Sequence, residues 1–226
     1  MKVSAIVVAA GVGRRFGADK PFVDLGGKAV LDWSLETFQD HEMVSEIVLV
    51  LKDETAGHDF TRRYSKISQV VRGGLRRQDS VDAGFRGLDP ERAPIVLVHD
   101  GVRPLVGAGL ITRIAAAAAD RGAVVPGLPV EDTIKRIVNG KVGETVQRTG
   151  LMKIQTPQGF RYDVLASALD WGRDRNQAAT DEAFLAEQAG FPVYMVPGEK
   201  ANIKITEPED LILAEVWLEH SVRSRL

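Results

Sequence analysis

Val3-Ser4-Ala5-Ile6-Val7-Val8-Ala9-Ala10-Gly11-Val12-Gly13-Arg14-Arg15 is the stretch whose reading decides the fold of this 226-residue chain. An apolar, β-branched run that passes into small residues and glycines reads as a buried strand followed by a loop. Such a loop lets backbone N–H groups come close to an anion, and Arg15 and Lys20 can supply counter-charge. The stretch therefore predicts a first strand with a phosphate cradle at its carboxyl end. It is neither of the two common nucleotide loops. A dinucleotide fingerprint needs a third glycine where Phe16 stands, and a P-loop needs Ser or Thr where Pro21 follows Lys20. Pro21 biases Lys20 toward extended backbone, which predicts an ordered loop there and not a helical turn. Taken alone, the stretch also fits a glycine-rich turn with solvated basic residues.

Working outward, β-prone apolar runs recur at Ile47 to Leu51, Ile95 to Val98, Ala123 to Val125 and Val193 to Val196. Segments with helical spacing lie between or after them, at Val30 to Gln39, Gln78 to Leu88, Leu110 to Arg121 and Leu211 to Val222. Alternating strand and helix predicts an α/β fold with a mostly parallel sheet covered by helices, ligands binding at the carboxyl ends of the strands. The alanine run Ala115 to Ala119 reads as a helix face packed close to the sheet. A hydrophobic fraction of 44% suits one domain spanning 1–226 with a proper core.

A formal net charge of -2 leaves no global attraction for nucleic acid or an anionic membrane, so basic residues must act locally. With no cysteine, a disulfide framework, a thiol nucleophile and Cys-ligated zinc are excluded. The run from Val3 to Ala10 is short for a signal-peptide core, and no segment approaches the roughly 20 apolar residues needed to span a bilayer. A cytoplasmic protein is expected.

One stretch, Thr133 to Val146, breaks the alternation. Asn139-Gly140 between β-prone flanks is a hairpin signal, because both turn residues tolerate positive φ. A polar hairpin here, in an arm of about 131–150, is expected to project from the sheet with its edges unpaired unless a partner chain covers them.

Three further constellations carry potential chemistry. His99-Asp100-Gly101-Val102-Arg103-Pro104 follows a buried strand, so Asp100 stands where a carboxylate could hold Mg²⁺ together with substrate phosphates, and Arg103 could bind an anion. Equally, Asp100 could merely open a turn that ends at Pro104. Gly73-Gly74-Leu75-Arg76-Arg77-Gln78-Asp79-Ser80 leads into a helix whose N-terminus could bind an anion or a base edge, although Asp79 or Ser80 could be a plain cap. In Asn202-Ile203-Lys204-Ile205-Thr206-Glu207-Pro208-Glu209-Asp210, Thr206 with Glu209 reads as a capping box, and Lys204 as an outward residue of a short strand. His41, His58, His99 and His220 show no metal-ligand spacing. If the nucleophile is a substrate phosphate oxygen, already anionic, then alignment and charge neutralisation are enough and no strong base is needed.

These stretches, together with Glu131-Asp132-Thr133-Ile134-Lys135, Gln147-Arg148-Thr149-Gly150-Leu151, Gln155-Thr156-Pro157-Gln158 and Thr180-Asp181-Glu182, occur in the order seen in the 2-C-methyl-D-erythritol 4-phosphate cytidylyltransferases, which the chain resembles along nearly its whole length. The resemblance implies a Rossmann-like sheet, a homodimer joined through the hairpin arm, and Mg²⁺-dependent transfer of CMP from CTP to a polyol phosphate. It implies catalytic roles for Arg15, Lys20 and Lys204. Ala10, Gly11, Gly13, Gly74, Ser80 and Asp100 would bind the nucleotide, Asp100 also the metal. Arg103, Thr133, Arg148 and Thr180 would bind the polyol phosphate, with Arg148 coming from the neighbouring subunit. Two features depart from the family pattern: a short loop between Arg15 and Lys20, and Pro21 where glutamine is usual. Ribitol 5-phosphate cytidylyltransferases share most of these motifs, and a nucleotide-binding module without turnover is the alternative from another class.

Overall fold

The computed structural model describes residues 1–11, 16, 19–92 and 94–223, with side chains described as far as residue 220. Arg15 and Gly13 lie outside the described residues. The order is β1 (Val3–Ala9), β2 (Asp24–Leu25), β3 (Lys28–Ala29), α1 (Val30–Asp40), β4 (Val44–Leu51), α2 (His58–Arg63), β5 (Ile67–Arg72), α3 (Arg77–Arg86), β6 (Ile95–Asp100), α4 (Ala108–Arg121) and β7 (Ala123–Pro129). There follow β8 (Ile134–Val138), β9 (Lys141–Val146), β10 (Met152–Ile154), β11 (Gln158–Arg161), α5 (Tyr162–Asp174), α6 (Glu182–Gln188), β12 (Tyr194–Pro197) and α7 (Glu209–Arg223).

β1 is buried along its whole length because both faces of the sheet are covered. Its side chains alternate between two cores. Val3, Ala5, Val7 and Ala9 pack with Leu31, Leu35 and Phe38 of α1 and Leu110, Ile111 and Ile114 of α4. Ile6, Val8 and Ala10 pack on the other face with Val81 of α3 and with Val164, Leu165 and Ala168 of α5. In α4 the alanine run divides as a helix surface must, with Ala115 and Ala118 buried and Ala116 and Ala119 exposed.

The main sheet runs β10-β7-β11-β6-β1-β4-β5, with β12 paired to β7. β1 is parallel to β4 and β6, β4 to β5, and β12 to β7. β10 and β11 run antiparallel to their neighbours, so the sheet is mixed, with its parallel part around β1. From β1 the chain moves outward through β4 and β5, then returns to lay β6 on the other side of β1. That reversal opens a crevice at the carboxyl ends of β1 and β6, where ligands bind in open α/β sheets.

β8 and β9 form a separate two-stranded ribbon. Asn139 and Gly140 at its tip have φ of 49° and 76°, as the hairpin reading requires. Its residues are almost all exposed, including Ile137, Val138 and Val142.

Three local expectations fail. Lys20 opens a 3₁₀ turn, Lys20–Phe22, because Pro21 falls within its first turn, where the missing N–H costs nothing. Residues 201–206 form no strand; Lys204 stands on an extended segment tied to the HDGVRP loop by Ile205 N–H donating to the Val102 carbonyl at 2.9 Å. Finally, the acid that caps the start of α7 is Asp210 and not Glu209. Its Oδ2 accepts from Thr206 N–H at 2.7 Å, Thr206 Oγ1 at 2.6 Å and Glu207 N–H at 2.9 Å.

Candidate active site

The crevice between β1 and β6 holds a cavity of about 620 Å³ lined by Ala10, Gly11, Lys20, Gly74, Ser80, Asp100 and Lys204, among others. β1 delivers Ala10 and Gly11. The Gly73–Arg76 turn presses on the end of β1 so closely that a Cβ on Gly73 would lie 2.3 Å from that of Ala10. Only glycine permits that approach. Ser80 Oγ accepts from Gly74 N–H at 3.1 Å and donates to the Arg76 carbonyl at 3.2 Å, fixing the turn. Asp79 is not the N-cap. As the third helical residue it reaches back, and its Oδ2 accepts from Arg76 N–H at 3.1 Å.

Asp100, the last residue of β6, is almost wholly buried yet lines this cavity. Its Oδ1 accepts from Arg77 Nε at 2.9 Å and its Oδ2 from Lys204 Nζ at 2.8 Å, while Arg103 Nε stands 3.8 Å away. Burial alone would raise its pKa, but Arg77, Lys204 and Arg103 outweigh it and hold the carboxyl well below the usual carboxylate range. Below it, His99 Nε2 donates to the Arg103 carbonyl (3.3 Å), and Nδ1 accepts from Thr156 Oγ1 (3.2 Å), which itself accepts from Asp100 N–H (3.1 Å). Burial pushes the His99 pKa down to about 3, against a smaller upward pull from Asp100, so the ring is neutral.

A loop scaffold sets Lys204. Fully buried Asn202 donates from Nδ2 to the Thr156 carbonyl at 2.7 Å, and its own carbonyl accepts from Arg103 Nη1 at 2.9 Å and Gln155 Nε2 at 3.1 Å. The peptide bond between Thr156 and Pro157 is cis. Lys20 faces the same cavity, and its charge reaches Asp210.

The remaining expected residues divide. Arg103 lies beside Asp100 but is buried, with its guanidinium on the Asn202 loop. Thr180 is exposed, just ahead of α6. Thr133 and Arg148 stand on the ribbon and its return, also exposed, outside the residues that line the cavity. Arg148 donates to the Glu131 carbonyl.

Arg77 is the residue that sequence reasoning missed. Besides Asp100 it binds fully buried Glu182, with Nη1 2.8 Å and 2.6 Å from the two carboxylate oxygens. Burial pushes Glu182 up, and Arg77 offsets only part of that because Asp100 and Asp181 are near. Lys52 and Arg72 also line the cavity. The signal for Arg77 was its place as first residue of a helix that opens on the crevice.

For a divalent cation the donor chemistry is limited. Among the described residues no group of three or more His, Cys, Asp or Glu could hold a metal. Asp100 supplies one hard carboxylate at the cavity wall, its two oxygens already bonded to Arg77 and Lys204, so Mg²⁺ there would take most of its ligands from phosphate oxygens and water.

The fold and site thus define an α/β protein with a cation-lined pocket at its switch point. Comparison with known proteins then specifies it. The family model for 2-C-methyl-D-erythritol 4-phosphate cytidylyltransferase (IspD) matches residues 3–220, and the chain belongs to that family. It is 38% identical to the enzyme of that name from Syntrophotalea carbinolica, covering 97% of both chains. It is 42% identical over 225 residues to a bifunctional IspD/IspF enzyme of Rhodospirillum rubrum, covering 95% of this chain but only 56% of that protein. The chain therefore spans about half the length of such bifunctional relatives. The crystal structure of the Thermus thermophilus 2-C-methyl-D-erythritol 4-phosphate cytidylyltransferase superposes with a TM-score of 0.82 at 35% identity, covering 97% of this chain and 100% of that one. No helix among the described residues is long and apolar enough to cross a membrane.

Proposed function

We propose that the chain transfers CMP from CTP to 2-C-methyl-D-erythritol 4-phosphate, giving 4-diphosphocytidyl-2-C-methyl-D-erythritol and pyrophosphate, a step in making isoprenoid precursors. The observation that carries this reading is the set of cations around Asp100, with Lys204 at the cavity wall, lining one cavity with Gly11 at the end of β1 and the glycine turn before α3. Family membership supplies the choice of substrates.

In this reading the Gly11, Gly74 and Ser80 side of the crevice takes the cytidine, and Asp100 takes the ribose. Arg15, Lys20 and Lys204 neutralise the triphosphate. A phosphate oxygen of the polyol substrate attacks the α-phosphorus in line. The bond from that phosphorus to the bridging oxygen of the β-phosphate breaks, and pyrophosphate leaves with the electron pair. The nucleophile is already an anion, so the protein supplies alignment and fixed positive charge. Mg²⁺, held by Asp100 and the substrate phosphates, would supply further charge neutralisation. Arg103 and Thr180, which stand outside the residues lining this cavity, are assigned to the polyol phosphate by the family pattern.

Thr133 and Arg148 enter through a second copy of the chain, whose ribbon completes the site of its neighbour. Exposed Ile137, Val138 and Val142 on the ribbon support this homodimer. The test is pyrophosphate release across the four nucleoside triphosphates and a panel of polyol phosphates, with and without Mg²⁺. Release that needs CTP, metal and methylerythritol phosphate together supports the reading. Equal turnover of ribitol 5-phosphate, or none at all, rejects it.

A further inference from the structure

Glu182 is wholly buried at the start of α6, among residues such as Ala183, Leu185 and Ala186 that face the core. It is not needed as the cap of that helix, because Asp181 Oδ1 already accepts from Phe184 N–H at 3.0 Å. Nor does stability account for it, since a buried ion pair is often no better than packed hydrophobic side chains of the same volume. What Glu182 does is grip Arg77, 105 residues earlier in the chain, through both carboxylate oxygens.

Arg77 then reaches Asp100 with a different nitrogen, Nε, leaving Asp100 Oδ2 to Lys204. An unbroken series of ion pairs thus runs from the first turn of α6, two residues beyond Thr180, to the cavity lysine. We propose that Glu182 is a positioning residue, which holds Arg77 so that Asp100 keeps one oxygen for Lys204 and the lysine stays in register with the Gly73–Ser80 turn. Freed of Glu182, the guanidinium is able to turn and take both oxygens of Asp100 in the bidentate geometry that arginine and carboxylate favour. Lys204 would then lose its anchor. The Gly74 to Ser80 bond involves neither acid, so the Gly73–Ser80 turn would keep its shape.

The proposal rests on the cytidylyl-transfer reading. The experiment compares Glu182→Gln with wild type in pyrophosphate release, in the parent chain and in an Asp100→Asn background. The expected result is a kcat lower by about tenfold or more, since displacing a reacting group by about 1 Å can cost a hundredfold. Glu182→Gln should have little further effect once Asp100 is Asn. Glu182→Asp, which keeps the charge, should recover part of kcat. An unchanged kcat, or the same loss in both backgrounds, would overturn the proposal, because a merely structural acid acts independently of Asp100. If Glu182→Gln does not fold, Arg77→Lys serves in its place, since lysine keeps the charge but cannot span both acids. Wild-type kcat in that variant is equally contrary. Absence of turnover in the wild-type chain would reject the underlying reading instead.

Discussion

Asp100→Asn keeps the shape of the side chain and removes its charge, which makes it the sharpest probe of the cluster. The carboxylate takes Arg77 Nε at 2.9 Å and Lys204 Nζ at 2.8 Å, with Arg103 Nε at 3.8 Å. With an effective dielectric constant of about 20, each near contact is worth about 6 kcal/mol gross. Desolvating the carboxylate offsets several kcal/mol of that. The amide keeps one accepting oxygen and turns an NH₂ toward a cation, so Arg77 keeps only Glu182 while Lys204 and Arg103 lose the carboxylate they face. Breaking a buried pair by removing one partner costs about 3–5 kcal/mol. The lower end applies, because the Lys204 side chain is 38% exposed and regains water. The expected loss is thus about 3 kcal/mol in urea unfolding near neutral pH, with an unchanged m-value. At roughly 2–4 °C per kcal/mol the thermal midpoint should fall by about 6–12 °C. Because the folded pKa of Asp100 lies below its unfolded value, its contribution is complete above about pH 4 and fades as pH falls through the lowered value. The gap between wild type and variant should therefore stay flat from about pH 5 to 8. A variant within about 1 kcal/mol of wild type, or more stable than it, would refute the view that Asp100 neutralises a buried cationic cluster.

Lys204→Ala should lower kcat by roughly a hundredfold, about 3 kcal/mol of transition-state stabilisation, with CTP binding measured by calorimetry little changed; a raised KM at normal kcat would mean uniform ground-state binding. His99 is neutral in the fold down to about pH 3 and protonates near pH 6.5 when unfolded, so the unfolded state binds the extra proton and stability falls with acidification between those values. The slope due to His99 is about 1.4 kcal/mol per pH unit, and His99→Asn should lose it even if its overall stability is lower; an equal slope in both chains would contradict the burial argument. For the shared site, Lys20→Ala and Arg148→Ala chains should each be nearly inactive, and mixing them with subunit exchange should restore roughly a quarter of wild-type activity. Proven exchange without recovery would place Arg148 in the same site as its own Lys20.

How far the sequence could be read follows from the range of the forces involved. β1, its glycine end and the Asn139-Gly140 turn were legible because period-two burial and positive φ are local properties. β11 was not, since Gln158–Arg161 gains its strand by pairing antiparallel with β6 and β7, some 60 and 35 residues earlier. α5 and α6 lie outside the segments whose spacing reads as helical, although both bury apolar faces and Asp181 caps α6. At the site, Asp100 could be found from its place at a strand end. Its partners could not, because Arg77 and Lys204 meet it, and Glu182 meets Arg77, only when segments far apart in the chain are folded together. Lys204 drew notice for its alternation with isoleucines, yet what holds it is the loop built on Asn202 and Gln155. At Lys20 the bias that proline imposes on the preceding residue yields to the ease with which proline enters a first helical turn.

The central claim is that a polyol phosphate oxygen attacks the α-phosphorus of CTP, and following that phosphorus tests it most directly. With CTP labelled at the α-phosphate, Mg²⁺ and methylerythritol phosphate, the label should appear in 4-diphosphocytidyl-2-C-methyl-D-erythritol, with one unlabelled pyrophosphate released for each molecule formed. Label recovered as free CMP, or in no product despite bound CTP, would contradict it.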